Sequence, residues 1–134
     1  MHNSVKAAIK PSDELAILSR VFFLAWGHSH SGAKVAASLL LGFYNGTRFP
    51  FDLTDLRLLD AGNLSNALTL MRFDARLSME VHDWLNTLYS RNDFGERFEH
   101  LAHMWRKKGK CKKEWLVDVP EIQELSFVQQ GGAA

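Results

Sequence analysis

The chain has 134 residues, 46% of them hydrophobic and 23% charged, which suits one folded domain and excludes both a disordered polymer and two independent cores. Its formal net charge of +1 gives the total no bias toward a polyanionic partner. A single cysteine, Cys111, excludes an internal disulfide and fits a reducing compartment.

Residues 1–10 carry no apolar core of a secretory signal and are expected to be a flexible N-terminus. The longest apolar run, Val21 to Trp26, is too short to span a bilayer. The expected location is therefore cytoplasmic, with no membrane association.

The chain reads as all-α, with five or six short helices spanning 11–128. The first begins at Pro11-Ser12-Asp13-Glu14, where Ser12 caps free amides and two acids meet the positive end of the dipole. Leu15, Leu18, Phe22 and Trp26 form its buried stripe, and Gly27 ends it. A polar loop, Gly27 to Gly32, leads to a second helix over Ala33 to Tyr44. That helix is apolar on most faces, so it is expected at the centre. Asn45-Gly46 stops it, and Arg48-Phe49-Pro50-Phe51 is an extended connector.

A short third helix, capped by Asp52 or Thr54, runs through Leu53, Leu56, Leu59 and Asp60. Gly62 is expected to break it. A helix restarting at Asn63 would bury Leu64, Ala67, Leu68, Met71 and Ala75. Leu77, Val81, Trp84, Leu85 and Leu88 continue at helical spacing, with or without a bend near Asp74 to Ser78. After a turn at Arg91-Asn92-Asp93, with Asp93 as cap, the last clear helix lines up Phe94, Phe98, Leu101, Ala102 and Trp105. Trp115 to Val119 reads as a strand or an extended C-terminal arm, Pro120 to Phe127 as one more helical turn, and 129–134 as a disordered tail.

Charge is balanced overall but concentrated locally: Arg106 to Lys113 holds six basic residues in eight positions and no acid. Arg106, Lys107, Lys108, Lys110, Lys112 and Lys113 could neutralise phosphates of DNA or RNA, with Trp105 or Trp115 stacking on a base. The competing explanation is a solvated helix end between two core tryptophans. A helix-turn-helix over 55–76, hinged at Gly62, is a second nucleic-acid reading.

Metal chemistry has one weak candidate. His100 and His103 share a helix face, with Glu96 and Glu99 a turn behind, and His28 and His30 form another pair. Neither reaches the three or four ligands of a zinc site, and no HExxH or paired CxxC occurs. Cys111 lies among lysines that would lower its pKa, but no GxSxG or phosphate-binding glycine loop accompanies it. The expectation is a non-enzymatic protein without cofactor.

Ser31-Gly32-Ala33-Lys34-Val35-Ala36, then Leu39-Leu40-Leu41, then Phe51-Asp52-Leu53-Thr54-Asp55-Leu56 resemble an uncharacterised helical family of small bacterial proteins. The resemblance continues through Leu59-Asp60, Glu80-Val81-His82 and Phe98-Glu99 to Trp105-Arg106, covering 31–106. That family is met on plasmids and integrative or conjugative elements. It implies a helical fold and a mobile-element setting, and carries no activity to transfer. The function expected first is thus an accessory or regulatory protein acting through contacts with an unidentified protein or a second copy. Nucleic-acid binding through 106–113 stands second and a metal-dependent enzyme third.

Overall fold

The structure is a computed structural model that describes residues 12–76, 78–105 and 113–125. The expected flexible N-terminus, the tail, Leu77, Cys111 and all of the basic run except Lys113 lie outside the described residues. Among the described residues five α-helices follow one another: α1 Asp13–Gly27, α2 Ser31–Tyr44, α3 Ala61–Ala75, α4 Val81–Tyr89 and α5 Phe94–Met104. A 3₁₀ helix, Leu53–Leu58, precedes α3, another, Lys113–Trp115, follows α5, and no strand occurs among the described residues.

The all-α reading holds, and so does the central helix. Contacts run from α2 to α1, α3, α4, α5 and the first 3₁₀ helix. Its sequence explains why: Ala33, Val35, Ala36, Ala37, Leu39, Leu40 and Leu41 are all buried, and its Gly32 and alanines let neighbouring helices come close. Phe22, Phe94 and Phe98 meet at the middle of the core, with ring centroids 5.1 and 5.7 Å from Phe22. Each buried aromatic side chain there contributes about 2–3 kcal/mol of apolar burial.

Helix ends follow local hydrogen bonding. Ser12 accepts from the Leu15 amide at 3.3 Å, as expected. The expected loop at 27–32 is shorter in the structure, because His30 Nδ1 accepts from the Ala33 amide and α2 starts at Ser31. Gly62 does not break a helix either. Asp60 Oδ1 accepts from the Asn63 amide at 2.8 Å, so α3 begins at Ala61 with Gly62 in its first turn. Residues 53–76 are therefore a 3₁₀ helix followed by one α-helix, which is not the pair of α-helices a helix-turn-helix requires.

α3 and α4 are separate helices, with Arg76 at the C-cap of one and Glu80 at the N-cap of the other. Ser90 takes a left-handed conformation, φ 55°, and closes α4, its amide donating to the Asn86 and Thr87 carbonyls. Asp93 stands at the start of α5 without capping it; Asn86 Oδ1 does so by accepting from the Phe94 amide at 2.9 Å.

The expected helical turn at 120–127 is absent over its described part. Residues 116–125 are irregular and extended. Three of their backbone groups bond to side chains of α4 and α5: Arg97 donates to the Pro120 carbonyl, His100 bonds the Val117 carbonyl, and the Leu125 amide donates to Tyr89 Oη.

Candidate functional site

Among the described residues two charged groups lie in the core, both from α5: Arg97 and Glu99 are each 0% exposed. Glu99 accepts two hydrogen bonds from Arg48, Nη1 to Oε2 at 2.9 Å and Nη2 to Oε1 at 2.8 Å, and a third from Tyr44 Oη at 2.6 Å. Burial, and then the negative Glu99, push the Tyr44 hydroxyl pKa far above its ordinary value. Tyr44 is thus held protonated, as a donor to Glu99. His82 packs its edge on the Tyr44 ring, centroids 5.1 Å apart.

Arg97 is balanced by Asp93, which accepts from Nε and Nη2 at 3.2 Å. Asp93 also takes a two-pronged bond from Arg91. Burial alone would raise the Asp93 pKa, but the two guanidiniums outweigh it and hold the carboxyl below the ordinary range. The Arg97 guanidinium lies over the Trp26 and Phe94 rings at 5.8 and 5.6 Å, and its buried Nη1 has no hydrogen-bond partner. These ties bind α5 to the connector after α2 and to the C-terminal segment.

The residues singled out from sequence are dispersed. His100 bonds the Val117 carbonyl, His103 is exposed, and Glu99 turns away to Arg48. Among the described residues no group of three His, Cys, Asp or Glu side chains is placed to hold a metal. His28 and His30 are neighbours, ring centroids 5.6 Å apart, with His30 engaged as a cap. Trp105 is half-buried against the core, and its indole N–H donates to the Ala25 carbonyl at 3.1 Å. Trp115 is half-buried, close to Gly95: a Cβ there would lie 3.4 Å from its ring. Both tryptophans that flank the basic run are packing elements in this structure. Of the run itself, Lys113 begins the second 3₁₀ helix; Arg106 to Lys112 lie outside the described residues.

Sequence reasoning missed Arg97, although a signal existed: it falls at i+3 from Phe94 and i−4 from Leu101, on the apolar stripe. Glu99 gave no comparable sign, since its partners lie 51 and 55 residues away.

The surface has two further features. An open cleft of about 270 Å³ is lined by Arg20, Phe23, Leu24, His28, Asn63 and Glu124. More distinctive is α3, where only Ala67 and Leu70 of fifteen residues are buried. The expected inward face is rotated: Leu70 takes the core, while Leu68 is 48% exposed and Ala75 is exposed too. Ala61, Ser65, Leu68, Arg72 and Ala75 form an outward stripe at helical spacing. In the 3₁₀ helix just before it, Leu53 is 66% and Leu58 55% exposed.

These features define a small all-α domain with buried ion pairs and an exposed helix face that carries Leu68. The chain belongs to the DUF7673 family, a family of unknown function, whose model matches residues 15–106. The match begins ahead of the resemblance seen from Ser31 and ends at the same residue. No curated protein and no solved structure matches the chain. No described helix is long and apolar enough to cross a membrane.

Proposed function

We propose that this protein is a non-enzymatic accessory protein that works through protein–protein contacts, and that the α3 face is its contact surface, used first for a second copy of the same chain. The observation that carries this reading is the exposure of Leu68 at the middle of a helix the core hardly uses. Single exposed leucines are ordinary; three of them on consecutive elements are less so.

Charge supports a second copy as the occupant. Asp60 lies eight residues before Leu68 and Arg76 eight residues after it, and both are exposed. An antiparallel pair of α3 helices crossing at Leu68 sets the Asp60 end of each copy against the Arg76 end of the other. Ala61 and Ala75, equally symmetric about Leu68, allow close approach of the helix axes. A single helix pair buries less than a standard stable interface, so association is expected at about 10–100 µM.

Sedimentation velocity over that range tests the reading: a dimer is expected for the wild type and a monomer for Leu68→Glu. A wild-type chain that stays monomeric overturns it. The bacterial mobile-element setting rests on the resemblance of Ser31–Ala36 and Phe51–Leu56 alone. Nucleic-acid binding is the second proposal and rests on the charge of 106–113, without the tryptophan platform; salt-dependent anisotropy with DNA and RNA tests it.

A further inference from the structure

The segment after the second 3₁₀ helix lies along the core in an unusual way. It is extended, yet three of its main-chain groups are bound by side chains: Val117 O by His100, Pro120 O by Arg97, and Leu125 N by Tyr89, whose hydroxyl is itself tied to Ser19. Three apolar side chains anchor it. Trp115 sits by Gly95, and Ile122 and Leu125 pack against the core cluster. Recognition of backbone groups together with a few apolar anchors is how grooves bind extended peptides of a partner.

Two observations separate the groove from its occupant. Tyr89, Gly95, Arg97 and His100 all lie within the family match at 15–106, whereas the whole strap lies beyond it. The strap also has its own composition: Glu114, Asp118, Glu121 and Glu124 over residues 114–125, with no lysine or arginine. At its end burial raises the Glu124 carboxyl above its ordinary range and outweighs the nearby positive charge of Arg20, and in its middle the carbonyl of Pro120 meets the buried guanidinium of Arg97.

We infer that the α4–α5 face is a binding groove for an extended peptide with aromatic and aliphatic anchors, and that this chain fills it in cis with its own residues 115–125. A partner's segment of the same chemistry gains the groove by displacing the strap. A tethered strap competes at an effective concentration of about a millimolar, so the resting protein hides the groove from weak ligands. This surface shares no residue with the α3 face and stands or falls independently of it.

The test uses the full chain and a fluorescein-labelled peptide of residues 114–125, followed by anisotropy. The wild type is compared with an Ile122→Ser/Leu125→Ser variant and, separately, with Trp115→Ala, each checked for helical circular dichroism. The loosened variants are expected to keep their helices and bind the peptide at least about 10-fold tighter than the wild type. A scrambled peptide, or one with alanine for the tryptophan, is expected to lose that gain. Folded variants that bind no better than the wild type overturn the inference, as does equal binding of the scrambled peptide. Loss of helical signal in both variants also overturns it, because the strap is then part of the core and not an occupant.

Discussion

Arg48 and Glu99 form a two-pronged ion pair, 2.8 and 2.9 Å, that joins the connector after α2 to the buried middle of α5. Glu99 has no exposure, whereas Arg48 keeps 21% of its side chain in solvent. The asymmetry matters for mutation. A carboxylate left without its guanidinium has no access to water, while a guanidinium left alone can turn outward.

Arg48→Met is therefore expected to destabilise more than Glu99→Gln, with the former costing about 3–5 kcal/mol. Tyr44→Phe removes one charge-assisted hydrogen bond and is expected to cost about 1.5–3 kcal/mol. Urea unfolding of the single variants and of Arg48→Met/Glu99→Gln gives the coupling. Additivity of the two changes would contradict a direct pair.

Asp93 predicts the acid limb of stability. Its folded pKa lies below the ordinary carboxylate value because Arg91 and Arg97 outweigh its burial. Between the folded and unfolded pKa values the unfolded chain binds more protons, so stability rises with pH there. The contribution is complete above the unfolded pKa and is lost as pH falls through the folded one. Asp93→Asn is expected to cost about 3–5 kcal/mol at pH 7, since it strips the buried Arg97 of its counter-charge. It should also flatten the acid limb. Thermal melts from pH 7 down to pH 2 check both.

Asp74 has the opposite sign. Burial, followed by the negative Glu80, raises its carboxyl above the ordinary range, in a niche with Leu18, Phe43, Leu70 and Trp84. Here the folded chain holds the proton more tightly, so stability falls as pH rises through the interval between the ordinary value and the raised one. Asp74→Asn is expected to raise the melting temperature at pH 7 and to lose that advantage once both states are protonated. A variant less stable at pH 7 would show that the carboxylate has a partner worth more than its burial costs.

Much of the fold was legible because the apolar period is unambiguous where a helix has one wet face. Leu15, Leu18 and Phe22 in α1, and Phe94, Phe98 and Leu101 in α5, are buried as their spacing requires. In α3 the period failed: Leu64, Leu68, Leu70 and Met71 spread over a broad arc with Leu68 and Leu70 at its opposite edges, and only packing decides that Leu70 and not Leu68 faces inward. Helix starts failed where an unusual residue type took the cap. His30 caps α2 though serine, threonine, aspartate and asparagine are the usual choices, and Asp93 is drawn from its cap by two arginines. The buried pair of Arg48 and Glu99 joins positions 51 residues apart, which no local pattern encodes. The extended strap was half legible: Trp115 to Val119 reads as an arm, but the side chains that hold Pro120 and Leu125 come from other helices.

Asp60 tests the corrected start of α3. Asp60→Ala removes the acceptor for the Asn63 amide and is expected to cost about 1 kcal/mol, and Asp60→Asn much less. If helix initiation were instead at Asn63, the alanine change would be silent. Chemical denaturation distinguishes the two.

The central claim, that two copies meet antiparallel at Leu68, is tested most directly by a disulfide on the two-fold axis. Leu68→Cys in a Cys111→Ser background should cross-link to a covalent dimer under mild oxidation, because residues facing each other on that axis come within the reach of a disulfide. Ser65→Cys, placed off the axis, should cross-link far more slowly. Rapid, position-specific cross-linking at 68 is the predicted result. Cross-linking equally slow at both positions, with the protein monomeric at about 100 µM, would contradict the account.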